Sequence, residues 1–449
     1  MARLPLEGIR IIDSTYVIAM PYAGGILADL GAEVIKVEGP THVDTTRGGG
    51  QGVFTDNDPG DDWWNRAAGY NMLHRGKRSL TLDLSKEEGR EVFKELIKTC
   101  DVLMENYTPR VMRRWGLDYP NLKKIKPDII MVSNTGYGHG DGPYSNYPAM
   151  ATSLEGTHGH VSATGYQGEL PSKAGQSFVD FLACWSALLG IGAALHYRNR
   201  TGKGQWQDLG MYQLGCFFGG ERILDWTANR RLADRIGNRH PWRAPQGCYP
   251  CSGTDQWCVI SVGDDAEWTA LCEAMGSPEL PDDPRFATAS ARMKHHDELD
   301  EIIRGWTVTL EKFEVMERLQ GVGVPAGPVY DSRDANTDTH YWERGFLEKV
   351  HYPEERKMGS RVLMTRSWRL SKAPMSIQRP APKLGEANEH VLQDLLGLSE
   401  PEMAKLNEAG IIGNEPPNTS RPNVVSLPDQ VKRGRLAYFD PDFKTKLGI

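Results

Sequence analysis

Apolar and polar positions near the start of the chain alternate in blocks that predict a βαβ opening. Ile9 to Asp13 is a short apolar strand, Ser14 to Pro21 a turn, and Ile26, Leu27 and Leu30 mark a helical face before a second strand, Val34 to Glu38. Lys86 to Thr99 has helical spacing. Asp101 to Asn106 and Asp128 to Ser133 are further apolar strands, with a helical turn at Arg110 to Trp115 between them. The pattern predicts a parallel α/β sheet. Its strands end in polar clusters: Ser14, Thr15 and Tyr16; Glu105, Asn106 and Tyr107; Asn134 to Gly138. Ligands of open α/β sheets bind beyond the carboxyl ends of the strands, so three separate ends predict one crevice.

The longest apolar run, Phe181 to Tyr197, contains Gly190 and Gly192 and meets its charged flank at Arg198. At about 17 residues it lies at the lower edge of a membrane span and predicts a buried core helix. Asp180 stands at its start. Two roles are open there: capping the first free amides, or chemistry at the positive end of a helix at the mouth of the fold.

A helix expected at Gln213 to Ala228 is followed by a change of texture. Gly247 to Gly263 alternates like a hairpin, and helices follow at Asp264 to Met275, His295 to Trp306 and Glu311 to Leu319. This α+β unit ends near Gly321 to Asp331. From Gly345 strand and helix alternate again, the charged helix Pro401 to Ala409 predicts a lid returning to the first domain, and Pro416, Pro417, Pro422 and Pro428 predict an extended arm. The expected organisation is a large domain over 1–228, a small α+β domain over 229–331, a return segment over 332–413 and an arm over 414–449. Gly39 to Tyr70, rich in glycine and aspartate, is too long for a passive connection.

Composition narrows the class. Of 449 residues, 39% are hydrophobic and 25% charged, as in soluble globular chains of two domains. A net charge of -7 without a basic cluster argues against nucleic acid, and neither a signal sequence nor a membrane partner is expected. Seven cysteines, an odd number, suggest reduced thiols and the cytoplasm.

Three motifs invite stronger readings than they support. Gly136 to Gly142 (GYGHGDG) lacks the dinucleotide spacing and reads as a flexible turn. Thr201 to Gln205 (TGKGQ) lacks the remaining elements of a phosphate loop. Cys248 and Cys251 have no second close pair, so no metal site is expected.

The ordered motifs PLEGIRIIDSTYVIAMPYAGGILADLGAEVIKVEGP, DTTR, GKRSLTLDL, DVLMENYTPRVMRRWGL, NTGYGHGDGPY, the Asp180 stretch through RTGKGQ, GVPAGPVYD and PAPKLGEANEHVLQDLLGL resemble class III coenzyme A transferases over about residues 5 to 413. That family includes formyl-CoA:oxalate, carnitine and bile-acid CoA transferases. The resemblance implies a Rossmann-like large domain, a smaller α+β domain and an interlocked dimer. Asp180 matches the family nucleophile, whose carboxylate attacks an acyl-CoA thioester to give a mixed anhydride and then an aspartyl-CoA thioester. A carboxylate is ionised at neutral pH, and a helix amino end would keep it so. Amides of the glycine loop Gly136 to Gly140, Gly136 and Gly138 among them, are candidate donors to the developing oxyanion.

The same resemblance carries CoA contacts to Tyr16, Val17, Ile18 and Ala19, to Lys77 and Arg114 for the phosphates, and to Asn106, Tyr107, Thr135 and Tyr137 along the adenine and pantetheine path. Gly39 stands where some members have an adenine-side arginine, Thr135 where the oxalate enzyme has a lysine, and Ile18 where that enzyme has a glutamine facing the small acyl group. Apolar Ile18 and the glycines Gly48 to Gly50 point to a larger or more apolar acid than oxalate or formate. No tightly bound cofactor is implied: acyl-CoA, with succinyl-CoA a candidate donor, and a carboxylic acid are substrates, and the partner is a second copy or a related subunit. Two other readings stay open. A 2-methylacyl-CoA racemase needs a histidine beside the aspartate, and none occurs from Asn146 until His158; a CoA-binding subunit of a heteromer needs an active partner.

Overall fold

In the computed structural model, which describes residues 3–48, 53–175 and 177–449, six parallel strands build the main sheet. They are β1 (Arg10–Ser14), β2 (Glu33–Glu38), β3 (Arg78–Thr81), β4 (Val102–Glu105), β5 (Ile130–Thr135) and β6 (Trp206–Gly210), in the order β3-β2-β1-β4-β5-β6. This is the doubly wound order, with the winding direction reversing between β1 and β4. Alternate strand residues feed two cores. Ile12, Ile35, Leu80, Leu103 and Met131 meet Phe93, Leu96 and Ile97 of a helix at Glu87–Lys98. Ile11, Val34, Val102, Met104, Ile130 and Val132 pack with Leu27, Ala187, Ile191 and Leu195 on the opposite face. Burial on both faces is why these strands are apolar throughout.

Two helices position the site. Helix α1 (Ala19–Asp29) follows β1, and a 24-residue helix, α2 (Phe178–Thr201), packs on it. Val179, Ala183, Ala187, Ile191 and Ala194 lie on the buried side of α2, and their three- and four-residue spacing and mostly small size let the two helices approach closely. The expected core helix is present but begins earlier than the apolar run. Asp180 is therefore inside the first turn, where its amide bonds the Ser177 carbonyl at 3.1 Å. The predicted helix over Gln213 to Ala228 is two helices, Met211–Phe218 and Gly220–Asn229, broken at the adjacent glycines Gly219 and Gly220.

By contacts the chain divides into two units. The first comprises Met1–His160, Ala174–Gly220 and Asn336–Ile449, the second Val161–Lys173 and Glu221–Ala335. In the second, antiparallel strands β7 (Gln246–Pro250), β8 (Trp257–Ser261) and β9 (Ala326–Pro328) pack with helices around Trp268, Leu271, Cys272, Leu299, Ile303 and Val315. All seven cysteines are free thiols, and among the described residues no His, Cys, Asp or Glu cluster could hold a metal.

In the first unit, β10 (Leu347–His351) and β11 (Ser360–Met364) form a hairpin. The helix Glu400–Glu408 lays Met403 and Leu406 on the Phe93 core. The segment before it closes the free edge of β3: the Asn388 side chain accepts the Thr81 N–H at 2.9 Å, and Ala387 N–H donates to the Ser79 carbonyl at 2.8 Å.

Candidate active site

The reversal between β1 and β4 places two loops side by side, and their backbones are tied directly. Asn106, just past β4, uses both ends of its amide on one residue: Oδ1 accepts the Tyr16 N–H at 2.9 Å and Nδ2 donates to the Tyr16 carbonyl at 2.8 Å. The next residue, Val17, has φ of 77°, and Ile18 then begins α1. Tyr16 is fixed at its far end too, donating to the His42 carbonyl at 3.2 Å and accepting from Gly39 N–H at 3.3 Å. Burial, with Tyr107, Glu38 and Asp44 nearby, holds its phenol well above the ordinary range. Its ring lies 5.9 Å from Tyr107, which meets Trp115 edge-on at 5.3 Å.

These loops border two cavities that share Tyr16, Val17, Asn106 and Tyr107. One, about 350 Å³, reaches past Thr135 and Gly136 to Ser177, Asp180 and Met211. The other, about 420 Å³, runs over the ends of β2 and β3 to His42, Leu82, Leu84 and Trp115. Together they form an elongated groove across the carboxyl edge of the sheet, at the switch point where α/β folds bind ligands. Asp180 is 8% exposed and lies at one end of it. Ile18 and Ala19 line the same end. Their N–H groups open α1, where amides have no intrahelical carbonyl to bond.

The groove thus gathers Tyr16, Val17, Ile18, Ala19, Asn106, Tyr107, Thr135, Gly136 and Asp180. Other expected positions fall elsewhere. Lys77 does not line the groove: its ammonium is fully buried, bonded to Asp13 at 2.6 Å, the Pro21 carbonyl at 2.7 Å and His74 at 3.2 Å. It precedes β3, at the amino end of that strand, whereas the groove lies at the carboxyl end. The groove is also lined by residues the sequence reading did not assign to a site, Leu82 to Ser85, past the end of β3, and Trp115. In GKRSLTLDL the lining positions Leu82 to Leu84 close the motif, whereas the lysine stands near its start.

Arg114 is exposed beside Trp115. Tyr137 joins an aromatic group with Tyr144, Tyr147 and Tyr212. Gly138 does not line the groove, and its N–H donates to Thr135 Oγ at 3.0 Å, so it is not a free donor for an oxyanion. Gly48 packs toward Phe54 and Trp63, while Gly49 and Gly50 lie outside the described residues.

Charge beneath the groove is dense. Lys36 pairs with Asp44 at 3.2 Å, and Glu38 with Arg47 at 2.7 Å, all fully buried. Glu105 lies under the Asn106 loop. Burial pushes its carboxyl up to about 7, against hydrogen bonds from Ser133 and the Tyr107 amide that pull it down.

Comparison with known sequences decides the family. The profile of CoA-transferase family III matches residues 6–388. The chain belongs to the class III CoA-transferases. Among the relatives of this CoA-transferase is the succinyl-CoA–D-citramalate CoA-transferase of Chloroflexus aurantiacus, 34% identical over 91% of this chain and 98% of the relative. The succinyl-CoA–L-malate CoA-transferase beta subunit of the same organism is 33% identical over 91% and 98%. A crystal structure of a CAIB/BAIF family protein from Brucella suis superposes with a TM-score of 0.78 at 31% identity, covering 88% of this chain and all of that one. The chain is therefore an enzyme of the CoA-transferase type, acting on CoA thioesters and carboxylic acids.

Proposed function

We propose that the protein moves CoA from an acyl-CoA donor to a carboxylic acid acceptor through covalent intermediates on Asp180. The observation that supports this most is the position of Asp180: in the first turn of α2, lining one of two adjoining cavities at the carboxyl edge of the sheet. A carboxylate oxygen of Asp180 attacks the thioester carbonyl carbon, the C–S bond breaks, and the electron pair leaves on CoA thiolate, giving a mixed anhydride. The thiolate then attacks the aspartyl carbonyl, releasing the donor acid as its carboxylate and forming an aspartyl-CoA thioester. The acceptor carboxylate attacks that thioester, and the returning thiolate takes the acceptor acyl group and frees Asp180. Amides of Ile18 and Ala19 are the candidate oxyanion donors. Tyr16, Leu84 and Trp115 would line the nucleotide end, with Arg114 at its phosphates.

Succinyl-CoA is the donor to try first, since two relatives are named for it. A larger or more apolar acceptor than oxalate follows from Ile18 and the neutral lining of the Asp180 end. The racemase reading gains nothing from His158, which is buried against Phe178 and does not line that end. A second copy of the chain, or a related subunit, would cover Leu189 and Phe217, 77% and 84% exposed.

The test is to incubate the protein with succinyl-CoA and other acyl-CoAs, trap with hydroxylamine or borohydride, and map the adduct by peptide mass spectrometry. A tag on Asp180 that is absent in Asp180→Ala is expected. No tag with any donor, in protein that binds CoA, would sink self-sufficient transfer.

A further inference from the structure

We propose that Asp44 and Lys36, neither of which reaches the groove, are positioning residues that hold the left-handed turn at Val17 in its CoA-binding shape. The inference rests on reading the groove as the CoA site. A β-branched residue seldom adopts a positive φ, and the 77° of Val17 is a strained conformation that persists only where its surroundings over-determine it.

The constraints are present on both sides of the residue. Lys36 Nζ donates to the Thr15 carbonyl and pairs with Asp44 Oδ2 at 3.2 Å. Asp44 Oδ1 accepts the N–H and hydroxyl of Thr46 at 3.0 and 2.8 Å, and lies 3.4 Å from the Val17 N–H that donates to it. The Asp44 amide donates to Glu38 at 3.0 Å, anchoring the carboxylate to the Arg47 pair. Asn106 holds Tyr16 from the opposite side.

Both charged side chains are 0% exposed, so an effect on CoA binding is indirect, and the Val17 turn is the strained element they touch on its way to the groove. A buried ion pair adds little stability over an apolar pair of equal volume, which leaves the shape of the loop as its contribution. The turn ends at Ile18 and Ala19, the residues beside Asp180.

The test is a double-mutant cycle on Asp44→Asn and Val17→Gly, read by calorimetric CoA affinity and by KM and kcat with succinyl-CoA. Asparagine keeps the volume and removes the charge. With Val17 intact it is expected to weaken CoA binding by about tenfold and raise KM more than it lowers kcat. Glycine adopts a positive φ without penalty, so in the Val17→Gly background the same Asp44→Asn change should cost about twofold or less. A tenfold cost that persists in the Val17→Gly background, or no cost with Val17 intact, overturns the proposal.

A second comparison needs neither CoA nor a folded Asp44 variant. Val17→Gly should melt above Val17→Ala, the reverse of the order at an ordinary backbone position, and the ordinary order overturns the strain. Failure of the unmutated protein to bind CoA would sink the site reading instead, and the glycine–alanine comparison would still decide the strain.

Discussion

Lys77 donates to Asp13 at 2.6 Å with both side chains fully buried, beneath the site rather than at its mouth. Removing one member of such a pair strands the other charge. Lys77→Met should cost about 3–5 kcal/mol in urea unfolding and leave the salt dependence of CoA binding unchanged. Loss of that salt dependence in a stable variant would return Lys77 to the phosphates.

Arg114 is the contrasting cation, exposed beside Trp115, which lines the end proposed for the nucleotide. Arg114→Gln should weaken CoA binding by about tenfold at low salt, with the deficit shrinking as salt screens the wild-type contact. Its melting temperature should stay close to wild type. Unchanged affinity at low salt would remove Arg114 from the site.

Glu105 gives a pH signature. Burial raises its carboxyl to about 7 from an ordinary 4.5, so the folded state holds the proton more tightly than the unfolded one. Its contribution to stability is therefore complete below pH 4.5 and is lost as pH rises through about 7. The full swing is on the order of 3 kcal/mol. Glu105→Gln should lack that decline, so the two stability curves diverge between pH 5 and 7 and run parallel above about 8. Curves parallel throughout would show that the carboxyl titrates normally.

Gly136 lines the Asp180 end of the groove, and a Cβ there would overlap that of Ala149. Gly136→Ala should destabilise by about 1–3 kcal/mol and slow turnover by pushing in the wall formed by Ala149 to Ala151. Differential scanning calorimetry and steady-state rates check both effects. Wild-type stability would mean that the wall gives way at no cost.

In the six-stranded sheet four strands were legible because β1, β2, β4 and β5 are apolar runs, the pattern that burial in a parallel sheet requires. The two missed strands are the edges. RSLT in β3 and WQDLG in β6 carry polar residues, because an edge strand has a partner on one side only. In β3 that polarity is used, since Ser79 Oγ accepts the Gly385 N–H and the Thr81 hydroxyl donates to the Gly413 carbonyl. Without β3, nothing in the sequence showed that Lys77 immediately precedes a strand. Asp180 was legible as the start of an apolar helix, but its place inside the first turn was not, because Phe178 and Val179 extend the helix beyond the recognisable run. The Asn106 clamp on Tyr16 lies outside any periodicity, as it joins residues 90 positions apart.

Closure of the β3 edge has a consequence for how the chain is made. Thr81 waits for Asn388, 307 residues later, before its outer backbone groups are paired. At a translation rate of about 5–20 residues per second, that leaves a parallel sheet with one open side for tens of seconds on the ribosome. A nascent or truncated chain ending before Gly385 carries that open strand permanently, a surface for chaperones to shield and for other strands to join.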